Sequence, residues 1–370
     1  MNSRPSSFPS IPEASGRDAQ ERRITGVGIL ATLLGVTSLS AQIQPLPVAE
    51  CSDAGLINVR CFGARGDGVS DDTVALQAAF SFVAANEGKL YLPTGVYLTR
   101  PLTIVTAHTE KNFTIVGDGR RTTELRAMSG SAPLLTIGDG TRLVNYIGIS
   151  GLRFNGVTQT AVGIHLNHVA NSVFRDVYVE NCSDGMFLSG TLACGFYECD
   201  FKDNRVGVEM MANSRATANL LRFRDCAFTS NREWALQCRH VMMLILDGCQ
   251  IEDNGNPQNR NATGGIWVDV KNFPAAGTHH WSQVIIRQCW LEQNHGRAVS
   301  LNGGWITIDN SVFILNPVDG IVADAASLQI NSTISPSAGV GLQVTSVGRV
   351  AVISSTLAGA SLPPNAWVRP

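Results

Sequence analysis

The chain has 370 residues, 44% of them hydrophobic, with 28 Lys plus Arg against 30 Asp plus Glu and a formal net charge of −2. That is enough for one large core or two small ones, and the near-neutral balance excludes the global basic field that nucleic acid or an anionic membrane selects. Nine cysteines and 36 glycines are the compositional features that ask for an explanation.

The first 41 residues differ from the rest. A polar segment carrying Arg17, Arg22 and Arg23 runs into "ITGVGILATLLGVTSLSA", in which Ile24 to Leu39 make a 16-residue apolar run and Ser38, Ser40 and Ala41 supply small residues for cleavage. This is the pattern of a signal peptide with a long polar n-region. Ile24, Thr25 and Gly26 are a poor match to the residues that usually succeed a twin-arginine pair, so ordinary secretion is expected. No later stretch reaches the roughly 18 to 20 consecutive apolar residues of a membrane span. The reading is a secreted or periplasmic protein, free of the membrane after cleavage, with residues 42–56 as a linker.

Residues 57–104 hold "GDGVSDDT" at 66–73, then a helix expected over 73–85 with Ala75, Ala78, Ala79 and Phe82 on its apolar face, then "KLYLPTGVYLTRPLTI". Asp71 or Asp72 can cap the helix and the glycines can make the tight turn before it. A phosphate cradle would want a Lys and a preceding buried strand, and neither is here. Asp67, Asp71 and Asp72 form a weaker candidate for a metal site, since clustered Asp at a helix start is commonly capping.

From residue 146 the chain is self-similar. "FRDVYVENC" (174), "FYECDFKDN" (196), "FRDCAFTSN" (223), "LDGCQIEDN" (246), "IRQCWLEQN" (286) and "IDNSVFILN" (308) share one template: apolar, two polar, small, any, apolar, two more, Asn. The small position falls at Val177, Cys199, Cys226, Cys249, Cys289 and Ser311, in steps of 22, 27, 23, 40 and 22 residues. Short apolar stretches at such a period mark a solenoid whose coils are built of strands. Stacking places equivalent residues about 4.8 Å apart, so the four cysteines should form an internal column of reduced thiols with parallel Cβ vectors. The pairing of Cys51, Cys61, Cys182 and Cys194 stays open. Asn204, Asn231, Asn254, Asn294 and Asn316 form a second column at a turn, read as backbone-bonding structure in preference to a polar binding strip.

The loop, helix and strand of residues 57–104, together with this template, resemble the pectate-lyase superfamily, which includes polygalacturonase-, rhamnogalacturonase- and epimerase-like proteins and phage tailspikes. The resemblance implies an all-β fold, a single right-handed parallel β-helix over 105–360, with an N-terminal helix closing its open end and a short tail at 361–370. It also implies polysaccharide as the partner, with monomer and trimer both open and no cofactor expected.

Family enzymes work on the outer face of one sheet. If that sheet is the strand after each Asn, one outward column runs His165, Phe187, Glu209, Gln237, Trp267, Ser300, Val322, and its neighbour runs Asn167, Ser189, Met211, Arg239, Asp269, Asn302, Asp324. Glu209, Arg239 and Asp269 are the catalytic candidates. Two carboxylates about two coils apart can act as acid and base in glycoside cleavage, and Arg239 can stabilise charge at a uronate carboxylate in a lyase. Gln237, Trp267, Asn302 and Asp324 are the substrate-binding candidates, with the indole as a stacking platform. Cross-strand salt bridging is the competing account of these charges. The 40-residue step contains an insertion, "NGNPQNRNATGG" and "KNFPAAGTHHW", over the same coils. Its His279 and His280 lack further ligands at zinc spacing, and no metal is expected. Residues 202–240 carry seven Lys or Arg against four acids, a net of +3, which fits an acidic glycan. The "NTD", mid-chain "DD" and "RIK" set of polygalacturonases, the Asp-rich calcium set of pectate lyases and the "DPH" of alginate epimerases are all missing, and His295-Gly296 stands alone. Cleavage of an acidic glycan as a lyase or hydrolase is the expected function, with a non-catalytic glycan-binding or structural β-helix module, surface or tailspike-like, as the alternative and epimerase chemistry also open.

Overall fold

The computed structural model describes residues 52–53, 55–106, 112–128, 130, 132–270, 282–316, 321–324, 327–335, 342–344, 350–353, 355–357 and 367–369. The signal segment, Cys51 and most of the tail lie outside the described residues. What is described is a parallel β-helix. Ten strands, one per coil, form one ladder: β1 (Leu102–Ile104), β2 (Leu135–Ile137), β3 (Ile164–Asn167), β4 (Asp184–Ser189), β5 (Val206–Met211), β6 (Trp234–Cys238), β7 (Gly264–Asp269), β8 (Arg297–Asn302), β9 (Ile321–Asp324) and β10 (Leu342–Val344). Each pairs in parallel with the next. Two further ladders complete each coil, as in Leu221–Arg224 and Ala227–Thr229.

The template arises from how a coil turns twice. The second of its two polar residues is left-handed: Asp176, Glu198, Asp225, Gly248, Gln288 and Asn310 all have φ between 46° and 66°. Asp, Asn and Gly tolerate that region best. The next residue then points inward, which buries Val177, Cys199, Cys226, Cys249, Cys289 and Ser311. The column cysteines are free thiols, as are Cys182 and Cys194. Burial pushes the Cys182 and Cys194 thiols up to about 12, which keeps them protonated and inert. Above and below run stacked rings, Phe174 on Phe196 at 5.1 Å, Phe196 on Phe223 at 4.4 Å and Phe201 on Phe228 at 5.0 Å.

At the second bend the left-handed residue is not the column Asn. It is the one before, Asp203, Ser230, Asp253, Gln293 or Leu315. The Asn side chains turn inward instead, at most 1% exposed, and each amide donates to the Oδ1 of the next. Distances from Asn204 through Asn316 are 3.2, 2.8, 3.0 and 3.1 Å. The first rung is Cys182, whose N–H donates to Asn204 Oδ1. A solvent-facing binding strip is ruled out by this burial.

Helix α1 (Thr73–Asn86) packs on the N-terminal coil with Leu76, Ala79, Phe80, Val83 and Ala84 buried, while Ala78 is exposed and Ala75 and Phe82 are only partly covered. The apolar face is thus rotated from the one the alanines suggested, because the larger Leu, Phe and Val side chains fill the coil end. Gln77 closes the edge of β1: its Nε2 donates to Thr103 O at 2.7 Å and its Oε1 accepts from Thr103 N at 2.9 Å. One side-chain amide replaces the backbone of a missing neighbour strand.

The Asp-rich loop is architecture. Asp67 accepts from the Ser70 and Val69 amides, which hold its carboxyl down to about 2. Asp71 caps the helix by accepting from Thr73 N. Asp72 occupies the cap position, yet its buried carboxylate is spent on the loop, accepting from Arg65 N and Gly66 N at 2.6 and 3.0 Å. All three carboxylates are engaged locally, and among the described residues no cluster of three metal-ligating side chains occurs.

Candidate functional site

The outward columns assemble in register. His165 pairs with Phe187, Phe187 with Glu209, Glu209 with Gln237, Gln237 with Trp267, Trp267 with Ser300 and Ser300 with Val322. In the second column Asn167, Ser189 and Met211 are successive partners, as are Asp269, Asn302 and Asp324. Arg239 lies one residue beyond β6, its N–H donating to Met210 O at 3.0 Å. The side chain of Asp324 falls outside the described residues.

These side chains are not the exposed charges that a salt-bridged surface would show. Glu209 is 6% exposed and Asp269 5%, and Ser300 and Val322 are also buried. The cause is a kink at the start of each strand. Gly163, Gly185, Gly207 and Gly265 sit so close to the next coil that a Cβ would lie 2.4–2.6 Å from its carbonyl oxygen. Glycine permits this approach, and Ala235 and Ala298 continue the column. The residue before the kink joins the outer face. Asp184 reaches Glu209 there, and Trp234 stacks on Trp267 with centroids 6.4 Å apart at 28°.

The result is a charged cluster over three coils. The Asp184 and Glu209 carboxyls, one coil apart on this face, influence each other's ionisation. Arg205 bridges Asp184 Oδ1 at 2.8 Å and Glu233 Oε2 at 2.7 Å, and Arg239 Nε meets Glu209 Oε1 at 3.0 Å. Burial raises both Asp184 and Glu209 above the ordinary carboxylate range, more than the two arginines lower them. Asp184 adds its charge to the rise at Glu209, so the two carboxyls titrate as a coupled pair. Sequence reasoning found Glu209, Arg239 and Trp267 but missed Asp184, Arg205, Glu233 and Trp234. The available signal was a polar or aromatic residue directly before a small one at the strand start, as in Asp184-Gly185 and Trp234-Ala235.

Asp269 stands apart from this pair. Asn302 Nδ2 donates to its Oδ1 at 2.9 Å, and it lies two coils and two residues from Glu209, about 12 Å between Cα atoms. Glu209 and Asp269 therefore stand two coils apart, as the column count expected, with the two-residue offset widening the gap. Two polar atoms in the first column are buried without a hydrogen-bond partner, His165 Nε2 and Gln237 Oε1. Burial lowers the His165 pKa, which leaves the imidazole neutral beside Phe187 at 4.9 Å. Buried orphans of this kind accumulate where a ligand completes the bonding. The positive balance of residues 202–240 does not gather on this face, since Arg222 and Arg224 stand exposed on a different ladder. His279, His280 and Trp281 of the insertion lie outside the described residues.

With this geometry in place, comparisons with known proteins are informative. Residues 162–356 match the family described as the right handed beta helix region, and residues 56–145 match the family of rhamnogalacturonase A/epimerase, pectate lyase-like proteins. The mannuronan C5-epimerase AlgE6 of Azotobacter vinelandii is 40% identical over 88 residues, 21% of this chain and 10% of that protein. The capsule K30/K69-specific depolymerase of Klebsiella phage K64-1 is 25% identical over 228 residues, 60% of this chain and 27% of that protein. The chain thus matches only a minor part of either relative's length. Among solved structures, ORF18 of Geobacillus virus E2 superposes with a TM-score of 0.60 at 20% identity, covering 81% of this chain and 57% of that one. The relatives named for an activity act on polysaccharide.

Proposed function

This chain belongs to the right-handed β-helix family, and we propose that it is an exported enzyme that cleaves an acidic polysaccharide by glycoside hydrolysis at the Asp184–Glu209 pair. The observation that carries the reading is the buried Asp184–Glu209 pair, bracketed by Arg205 and Arg239, on an outer face that also offers the stacked Trp234 and Trp267. In the proposed reaction Glu209 gives its proton to the glycosidic oxygen as the C–O bond breaks. Water adds to the sugar carbon and returns a proton to the pair. Arg205 and Arg239 hold the negative charge left on the carboxyls in between. Because each carboxyl acts on the other's ionisation, the pair serves as one proton-donating unit. Trp267 supplies the sugar platform.

Lyase chemistry would need Arg239 to neutralise a uronate carboxylate, but it is already paired with Glu209. Hydrolysis is favoured for that reason. The likeness to the relatives and the export signal support a capsule- or alginate-like substrate outside the cytoplasm. The test is to incubate the purified protein with alginate, polygalacturonate, rhamnogalacturonan and purified bacterial capsule. New reducing ends without the ultraviolet absorbance of an unsaturated uronate are expected, and Glu209→Gln should abolish them. Unsaturated products would replace this reading with a lyase, and binding without cleavage would leave a glycan-binding module.

A further inference from the structure

An open groove lined by two tryptophans is on a different face. It lies on the ladder containing Gln283–Arg287, Trp305–Asp309, Ser327–Asn331, Val350–Ile353 and Trp367–Arg369, toward the C-terminal coils. The groove has a volume of about 880 Å³. Trp305 and Trp367 line it, 58% and 54% exposed. Gln283 lines it one coil before Trp305, and Thr307, Ser327 and Gln329 lie on the coils leading toward Trp367.

Register gives the spacing. Gln283, Trp305 and Ser327 are successive partners, while Thr307, Gln329, Ala351 and Trp367 run through four successive coils. Trp367 is therefore three coils from Trp305 and offset by two residues, about 16 Å apart at the Cα atoms. Two indoles that far apart cannot share one ring, but they can share one chain. None of the lining residues is charged.

We propose that this groove is a second, non-catalytic saccharide site that binds an uncharged stretch of polysaccharide along the solenoid axis. The indoles would stack on the C–H faces of sugar rings several units apart. The amides and hydroxyls between them would take the sugar hydroxyls, a mixture of apolar platforms and few polar groups that suits such a ligand. A nucleic acid would require basic residues that the groove does not have. A uronate would leave its carboxylate without a cation. A second copy of the chain would be expected to meet a continuous apolar core, whereas here the apolar Ile306, Leu328, Val350 and Ala351 are interspersed with hydroxyl and amide side chains. The groove is independent of the Asp184–Glu209 site, since the two share no residue.

The experiment is native electrophoresis of the full chain through gels containing dextran, hydroxyethylcellulose or galactomannan. At least one of these should retard the protein. Trp305→Ala with Trp367→Ala should raise the apparent Kd at least about tenfold. Trp290→Ala, which removes an exposed indole on another ladder, should leave migration unchanged. Thr307→Arg, which keeps both indoles and fills the groove, should also weaken binding. The inference is overturned if none of the three gels retards the protein or if the double variant migrates with the wild type. It is overturned too if sedimentation shows that the tryptophan variants dissociate an oligomer, which would make the groove an interface between copies.

Discussion

Replacing Asp184 by Asn and Glu209 by Gln together removes the two carboxyls that the fold holds protonated above their ordinary range while preserving shape. The native pair binds protons that the unfolded chain, with Asp near 3.8 and Glu near 4.5, has already released. Unfolding therefore releases protons, and stability conferred at low pH is lost as pH rises from those unfolded values toward the raised native ones. Each group contributes a slope of at most about 1.4 kcal/mol per pH unit. The wild type should lose stability with pH faster than the variant by about 1 kcal/mol per unit or more over that window. Burial also raises Asp200 and Asp203, but both proteins keep these, so they cancel in the comparison. At low pH the two proteins should be close in stability, because the protonated wild-type carboxyls are then as neutral as the amides that replace them. The wild type should fall behind the variant as pH rises. Urea unfolding monitored by far-ultraviolet circular dichroism at half-unit steps from pH 4 to 8 measures both curves. Parallel curves would refute the raised, coupled titration, and with it the assignment of Glu209 as acid.

Trp267→Ala should weaken polysaccharide binding by about 1–3 kcal/mol, read by calorimetry, and lower stability by about 1 kcal/mol through the lost stack on Trp234. Glu209→Gln should reduce turnover at least about a hundredfold with substrate affinity retained, measured as reducing ends against concentration. Asn254→Ala should cost about 3 kcal/mol or more in chemical unfolding, because Asn231 N and Nδ2, Phe228 O and Asn294 Oδ1 each lose a buried partner. Gly66→Ala should destabilise the N-terminal coil by more than about 1 kcal/mol in thermal melts, since its φ is +62° and a Cβ would stand 2.7 Å from the Tyr97 ring.

What the sequence alone determined is periodic. A coil must bury one side of each strand and turn twice, so apolar residues, small residues and Asn recur at fixed places, and counting from Asn204 or Asn231 to the next strand puts Glu209 beside Gln237 and Gln237 beside Trp267 without any coordinates. The same count reads the cysteines as a buried column, because parallel neighbours share an environment. The structure decided what breaks that alternation. A kink at Gly185 and Gly207 brings Asp184 onto the outer face, and Ala235 does the same for Trp234. A simple period of two puts those side chains on the other side. Whether a carboxyl keeps its proton depends on how many neighbours exclude water from it. That number is set by Arg205, Arg239 and Asp184 arriving from three different coils. Local sequence fixes which way a side chain points, but only the stacked coils fix what stands against it.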